Sequence, residues 1–198
     1  MSETGAATAF RVLALSGSLR RHSYNRMLIR QAARYAPRQL SMSIYERMAE
    51  IPPFNEDLED PPPPVVGELR QQLAVSDGLL IATPEYNQSF PGVLKNVIDW
   101  LSRPDPGYLV GKPVALMGAT AGRWGTRLAQ AGLRQTLAAT EAIVMPAPAL
   151  FIREAERVFR PDGSLADPRL GESLSAMLDA FGDWLTVLSG TSRREPRS

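Results

Sequence analysis

Short apolar runs alternate along this chain with segments whose apolar residues recur at helical spacing. The run Phe10–Leu15 is apolar at every position except Arg11 and ends at a serine-glycine turn, which is typical of a strand buried on both faces. The run Ser41–Tyr45 instead alternates serines with apolar residues, which predicts a half-exposed edge strand. Pro146 and Pro148 put the last strand at a sheet edge or near its own end. The predicted strands are Phe10–Leu15, Ser41–Tyr45, Gly78–Ala82, Pro113–Met117 and Ala142–Ile152.

Helical periodicity fills the stretches between these strands. Leu28, Ala32 and Tyr35 recur at helical spacing, and Pro37 predicts the end of that helix. The stretch 174–188 has the clearest amphipathic stripe, which we interpret as core packing. Helices are predicted at 25–35, 65–73, 92–101, 129–137 and 174–188, with an irregular proline-rich loop at 50–64 and a turn at 161–163.

The alternation of strands and helices predicts a parallel sheet covered on both faces and joined by right-handed crossovers. The chain has no internal repeat, and we expect a single domain at 10–190 between a flexible segment at 1–9 and a basic, flexible tail at 191–198. In such sheets ligands bind beyond the carboxyl ends of the strands. The loops after the first, third and fourth strands are therefore the candidate functional loops.

Composition narrows the kinds of partner. In 198 residues, Lys and Arg total 22 and Asp and Glu total 21, for a formal net charge of +1. This balance gives no reason to expect a nucleic-acid surface. No apolar run approaches the ~20 residues that span a bilayer, and the first residues lack the pattern of a signal peptide. We therefore expect a cytoplasmic protein with neither a nucleic-acid nor a membrane partner.

The supply of reactive side chains is small. The chain has no cysteine and a single histidine, His22, which excludes disulfides, redox thiols and Cys- or multi-His metal sites. A Ser-His-Asp hydrolase would have to use His22, yet the chain has no Gly-x-Ser-x-Gly elbow. If the protein is an enzyme, a cofactor carries its chemistry.

The first candidate loop, 16–25, leads directly into a predicted helix. The hydroxyls of Ser18 and Ser23, the Asn25 amide, the Arg20 guanidinium and the helix N–H groups are donors of the kind that a phosphate requires. The loop matches no glycine motif for dinucleotides or nucleoside triphosphates, and it lacks the carboxylates with which a receiver domain holds Mg²⁺. A Ser-capped helix after a tight turn explains the same residues equally well.

The second and third candidate loops have the residues for a flat ring. A planar heteroaromatic ligand needs an aromatic or apolar wall and backbone groups at its polar edge, and within 83–92 Tyr86 can supply the wall and the N–H groups near Asn87 the edge. A capped turn explains the proline and glycine there but not the whole string. The small residues of 118–126 permit close approach to a ring oxygen, although glycines at a helix start are a competing explanation.

These loops resemble those of the NADPH-dependent FMN reductases, which include quinone, chromate and azo-dye reductases. The resemblance is carried by the motif of 17–25, by the long string Pro84-Glu85-Tyr86-Asn87-x-Ser89-x-Pro91-Gly92-x-Leu94-Lys95-Asn96, and by residues 98–103. It spans the chain from the first strand to the last helix, while the third loop departs from the family's more usual serine-rich or proline-glycine versions. The resemblance implies a flavodoxin-like, doubly wound α/β fold with a five-stranded parallel sheet in the order 2-1-3-4-5 and helices on both faces.

The resemblance also implies where FMN binds. Its phosphate would lie at the first loop, one flank of its isoalloxazine ring at 84–87, and the other flank at the third loop. Glu85 can serve subunit contacts as well as flavin contacts. The implied cofactor-binding residues are Ser18, Arg20, Ser23, Tyr24, Asn25, Pro84, Glu85, Tyr86, Asn87, Thr120, Gly122 and Arg123.

The implied reaction is a ping-pong cycle in which NADPH or NADH gives a hydride to flavin N5 and leaves. A quinone, metal oxyanion, azo compound or flavin then binds over the same face and takes the electrons. Such a cycle demands no catalytic acid or base, which fits the missing cysteine and the lone histidine. Arg20, Arg21 and Arg123 can each meet the 2′-phosphate of NADPH, and the residues leave the choice between NADPH and NADH open.

Family members form dimers or tetramers, so a homodimer or homotetramer is implied, with Trp100, Arg103 and Arg127 as candidate interface residues. Core packing explains Trp100 equally well. The alternative function is a flavodoxin-like FMN electron carrier without efficient NADPH oxidation. Such carriers are usually strongly acidic, and the net charge of +1 argues against one here. The intact first and second motifs argue against a relative that has lost flavin.

Overall fold

The computed structural model describes residues 9–104 and 106–191, and its centre is a parallel sheet. The strands lie in the order β2-β1-β3-β4-β5, with β6 also paired to β4. This order confirms the predicted flavodoxin-like topology, and β2 is the edge strand that its alternating pattern predicted. The strands are β1 (Phe10–Ser16), β2 (Leu40–Ile44), β3 (Gly78–Ala82), β4 (Pro113–Ala119), β5 (Ile143–Val144) and β6 (Leu150–Ile152).

The fifth predicted strand, 142–152, is wrong as a continuous strand. Its first part, β5, pairs with the start of β4, and its second part, β6, pairs with the end of β4. The residues between them include Pro146 and Pro148, which have no N–H to give to a neighbouring strand. The edge is therefore two short segments that share one partner.

Helices cover both faces of the sheet because each central strand is apolar on both sides. Leu79 packs with α2, α3 and α4 on one face, while its neighbour Leu80 packs with α1 and α6 on the other. This alternation is the period of two expected of a strand. The helices are α1 (Tyr24–Tyr35), α2 (Pro64–Ala74), α3 (Gly92–Leu101), α4 (Arg127–Ala139), α5 (Ala155–Val158) and α6 (Pro168–Thr191).

The five predicted helices match α1 to α4 and α6, and the short α5 was not predicted. The loop at 50–64 contains the 3-10 turn Glu56–Leu58, and the predicted turn at 161–163 closes with a bond from the Gly163 N–H to the Arg160 carbonyl. None of the described helices is long and apolar enough to cross a membrane. The flexible ends predicted at 1–9 and 191–198 lie outside the described residues, except for Ala9 and Thr191.

Trp100 belongs to the core. Its side chain is fully buried, its indole N–H donates to the Pro52 carbonyl at 2.8 Å, and the Arg70 guanidinium lies over its ring. The core-packing interpretation of this residue is therefore the correct one, and its assignment to a subunit interface is wrong. Arg103 forms ion pairs within the chain, to Glu56 at 3.2 Å and Glu59 at 3.6 Å.

Candidate functional site

The loops after β1, β3 and β4 converge on one cleft of about 160 Å³, called the three-loop cleft below. Convergence follows from the topology, since β1, β3 and β4 are neighbouring parallel strands whose carboxyl ends meet at one edge of the sheet. Ala119 and Ala121, which were not predicted, add backbone to its wall. The cleft is lined by Ser18, Arg20, Ser23, Tyr24, Asn25, Pro84, Tyr86, Ala119, Thr120 and Ala121. Of the residues implied by the resemblance, Glu85, Asn87, Gly122 and Arg123 lie outside this lining.

Ser23 is the N-cap of α1. Its Oγ accepts from the N–H groups of Asn25 at 3.2 Å and Arg26 at 3.4 Å. The capped-helix interpretation of this residue therefore holds. Its hydroxyl hydrogen can still donate to a ligand in the cleft.

Ser18 and the neighbouring backbone provide donors that the fold does not use. Only 5% of Ser18 is exposed, and within the described residues its Oγ has no hydrogen-bond partner although it lines the cleft. The N–H groups of Arg20, Arg21 and Tyr24 likewise have no acceptor in the described part of the chain. They lie at the N-terminus of a twelve-residue helix, where the helix dipole favours an anion.

The side chain of Asn25 joins the first loop to the third. Its Nδ2 donates to the Ala119 carbonyl at 2.8 Å, and its Oδ1 accepts from the Ala119 N–H at 2.9 Å. The residue is buried, so both bonds are shielded from water. Asn25 thus positions two walls of the cleft, and its role as a direct phosphate ligand stays a prediction.

Arg20 packs over an aromatic ring of the first loop. Its guanidinium donates to the His22 carbonyl at 3.0 Å and lies 5.3 Å from the centroid of the Tyr24 ring. Tyr24 in turn stacks on Phe159, with ring centroids 5.8 Å apart. These contacts hold a positive charge at the rim of the cleft.

The second loop turns sharply at its tip. Tyr86 and Ser89 exchange two backbone hydrogen bonds, of 2.9 and 3.0 Å, around Asn87 and Gln88. Both central residues have positive φ, 51° and 62°, as in a type I′ turn. Such conformations cost non-glycine residues about 1–3 kcal/mol, and where a structure keeps them they cluster at ligand sites and active sites. The turn leaves Tyr86 half exposed at the cleft wall, while Asn87 points to solvent outside it.

Glu85 links the second loop to α4. One of its carboxylate oxygens accepts from the N–H groups of Leu128 and Ala129, each at 3.0 Å. Thr126, the N-cap residue of α4, makes no capping bond with its own side chain. Glu85 therefore caps this helix from 43 residues away, a role that local sequence patterns do not reveal.

The third loop is anchored mainly through its backbone. The Thr120 N–H donates to the Ile152 carbonyl at 3.0 Å, and the Thr120 carbonyl accepts from the Ala155 N–H at 3.0 Å. The Gly122 carbonyl accepts from the Glu154 N–H at 3.2 Å. β6 and the segment after it thus fix the loop, while the side chain of Arg123 stays exposed.

Comparison with known proteins decides which family this cleft belongs to. The sequence model of the NADPH-dependent FMN reductases matches residues 10–157, which include all three loops. The chain belongs to this family. It is an oxidoreductase of the class that uses FMN and NAD(P)H, as the motifs in the first and second loops predicted.

Several relatives match over nearly their whole length. An NAD(P)H-dependent FMN reductase of Pseudomonas aeruginosa is 41% identical over 181 residues, which cover 91% of this chain and 97% of the relative. A quinone reductase of Escherichia coli is 37% identical, with 88% of this chain and 94% of the relative covered. Among solved structures, the flavoenzyme NAD(P)H:(acceptor) oxidoreductase FerB of Paracoccus denitrificans has a TM-score of 0.83 and 34% identity, with 90% of this chain and 98% of that chain covered.

The residues of the three-loop cleft fit FMN. The buried Ser18 hydroxyl and the N–H groups at the start of α1 suit its phosphate, because each is a donor with no acceptor in the described residues. Tyr86 provides an aromatic wall, and the backbone around Ala121 provides an unobstructed polar edge.

Proposed function

We propose that this protein reduces quinones with electrons from NAD(P)H, by a ping-pong cycle at the three-loop cleft. Bound FMN would supply the chemistry, accepting a hydride at N5 and passing two electrons to the acceptor. One observation carries the proposal. Hydrogen-bond donors at the start of α1, without a partner among the described residues, and the aromatic side chain of Tyr86 line the same open cleft.

The protein's own groups would bind and orient rather than transfer protons. Ser18 and the N–H groups of the first loop would hold the phosphate, and Arg20 would add a positive charge at the rim. Tyr86 would bound the flat ring system. Asn25 would hold the first loop against the third, and Glu85 would hold the second loop against the start of α4, which follows the third loop directly. Positioning two reactants in this way supplies much of the rate enhancement of bimolecular reactions.

The choice of acceptor is supported by the relatives. One is named a quinone reductase, and another, of a Burkholderia species, is named 2-hydroxy-1,4-benzoquinone reductase and is 35% identical to this chain. Metal oxyanions, azo compounds and flavins are further acceptors to assay. We also propose that the protein acts as a homodimer or homotetramer in the cytoplasm, and Arg127, whose guanidinium lies exposed over the Phe151 ring, remains an interface candidate.

The first test mixes the FMN-reconstituted protein with NADPH without oxygen and follows the flavin absorbance near ~450 nm. We expect rapid bleaching, then recovery of the band when 1,4-benzoquinone is added, and parallel double-reciprocal plots in steady-state kinetics. A flavin that stays oxidised with both NADPH and NADH would favour the electron carrier. A band that recovers with oxygen but not with quinones would contradict the acceptor class.

The second test removes one phosphate donor. Ser18→Ala should weaken FMN binding about tenfold to a hundredfold, because a hydrogen bond to a charged group is worth about 1.5–3 kcal/mol. Flavin fluorescence quenching measures the affinity. Ser43→Ala, an exposed serine on β2, is the matched control and should bind FMN like the wild type. Unchanged affinity in the Ser18 variant would contradict the assignment of this loop to the phosphate.

A further inference from the structure

A second cavity, called the side groove below, adjoins the three-loop cleft. It has a volume of about 600 Å³ and lies between the segment 156–161 and the first loop with the start of α1. Arg20 and Tyr24 line both cavities, so the two form one continuous surface. A ligand longer than the cleft can therefore extend into the side groove past these two residues.

The floor of the side groove is aromatic and apolar. The rings of Tyr24 and Phe159 lie with an interplanar angle of 22°, and Met27 adds an apolar side chain beside them. Tyr24 is partly exposed, and the Arg20 guanidinium covers its ring from one side. Flat apolar surfaces with a neighbouring guanidinium are suited to stacking of a planar heterocycle.

The walls of the side groove are positively charged. Three arginines, Arg20, Arg21 and Arg160, line it against one carboxylate, Glu156. Arg20 and Arg160 already donate to backbone carbonyls, of His22 and Leu165. Arg21 is exposed and, among residues 9–104 and 106–191, has neither an ion pair nor a side-chain hydrogen bond. Its guanidinium is thus available to a ligand phosphate.

We propose that the side groove binds the adenosine end of NADPH, with Arg21 contacting the 2′-phosphate, so that the enzyme prefers NADPH to NADH. The inference rests on the proposed function, which puts the nicotinamide end in the three-loop cleft. A heterocycle carrying a dianion matches the aromatic floor and the excess of positive charge. Of the two other candidates for this contact, Arg20 already donates to the His22 carbonyl, and Arg123 lines neither cavity.

The test is calorimetric titration of the FMN-loaded protein with adenosine 2′,5′-bisphosphate and, separately, with 5′-AMP, which lacks the 2′-phosphate. We expect the wild type to bind the bisphosphate about tenfold more tightly than AMP. Arg21→Ala should remove that difference while leaving AMP binding unchanged. Glu156→Gln should tighten bisphosphate binding about twofold to fivefold, because it removes the only carboxylate lining the groove. Arg38→Ala, an exposed arginine outside both cavities, is the matched control and should match the wild type.

Equal affinity of the wild type for the two nucleotides would overturn the inference, and so would undiminished bisphosphate affinity in the Arg21 variant. A third contrary result is displacement of the bisphosphate by an anionic quinone, such as 1,2-naphthoquinone-4-sulfonate, to the same extent in the wild type and in Arg21→Ala. The same titrations on the flavin-free protein separate this inference from the proposed function. A protein that never retains FMN would refute the function, while the titration would still decide what the side groove binds.

Discussion

The cap that Glu85 forms on α4 gives a prediction whose size follows from the geometry. One carboxylate oxygen accepts two N–H groups at 3.0 Å, at the positive end of a thirteen-residue helix. Loss of an N-cap acceptor costs about 0.5–2 kcal/mol, and the interaction of a carboxylate with the helix dipole adds about 0.3–1 kcal/mol. Because the Leu128 N–H lies at the surface, water replaces part of what is lost. We therefore expect Glu85→Ala to lower the free energy of unfolding by about 2 kcal/mol.

Glu85→Gln is the matched variant, since its amide oxygen can still accept both N–H groups but has no charge. It should lose only the dipole contribution, about 0.5–1 kcal/mol. Urea unfolding at neutral pH measures both variants, and a loss of 2 kcal/mol lowers the midpoint by about 1 M. The alanine variant should also bind FMN more weakly, because the Glu85 bonds hold the second loop against the start of α4, directly after the third loop.

A free energy of unfolding for Glu85→Ala within about 0.3 kcal/mol of the wild-type value would contradict the capping role of Glu85. An equal free energy of unfolding for Glu85→Gln and Glu85→Ala would also contradict it. The first result would mean that water caps the helix as well as the carboxylate does. The second would mean that the charge, and not the pair of hydrogen bonds, supplies the stability.

Three further perturbations follow from buried contacts. Asn25→Ala leaves the Ala119 N–H and carbonyl unpaired and should cost about 2–4 kcal/mol in urea unfolding; a loss below about 1 kcal/mol would show that they find other partners. Burial raises the pKa of the Tyr45 hydroxyl from 10.0 to about 12, so the unfolded chain loses this proton first and stability falls as pH rises through that window. In Tyr45→Phe, the free energy of unfolding should therefore fall by up to about 2 kcal/mol less between pH 9 and pH 11.5, measured by thermal unfolding at both pH values. An equal fall in the wild type and the variant would contradict the assignment. Gly118→Ala places a methyl group onto Thr126 Oγ1 and should cost more than about 2 kcal/mol in thermal unfolding, whereas a wild-type melting temperature would show that the loop yields.

The parts of the fold that sequence could predict are those with local causes. A strand covered by helices on both faces is apolar at successive positions, so Gly78–Ala82 was found with its observed bounds. The break between β5 and β6 was missed because Pro146 and Pro148 signal only that pairing is interrupted. The second segment, β6, pairs with β4 again because β4 extends to Ala119, two residues beyond its predicted end.

The candidate site was predicted at the level of loops, and its internal contacts were not. Ser18 and Tyr86 line the cleft as expected, since the topology rule brings their loops together. The bonds of Asn25 and Glu85 span 94 and 43 residues, and no spacing in the chain reports them. The residue type of Asn25 favours a phosphate donor, and the family resemblance implies that Glu85 lies at the flavin. The observed bonds of the two side chains satisfy backbone groups of Ala119 and of the first turn of α4.

The backbone anchoring of the third loop has a consequence for how this enzyme can change. Thr120 and Gly122 are held by main-chain bonds to Ile152, Glu154 and Ala155, which every residue type except proline can make. Arg123 and Trp124 are exposed, Trp124 at 86%. Replacements at these two positions alter the surface beside the cleft with little cost to the fold. Substrate range can therefore drift here under selection, and a library restricted to positions 123 and 124 is an economical starting point for engineering new acceptors.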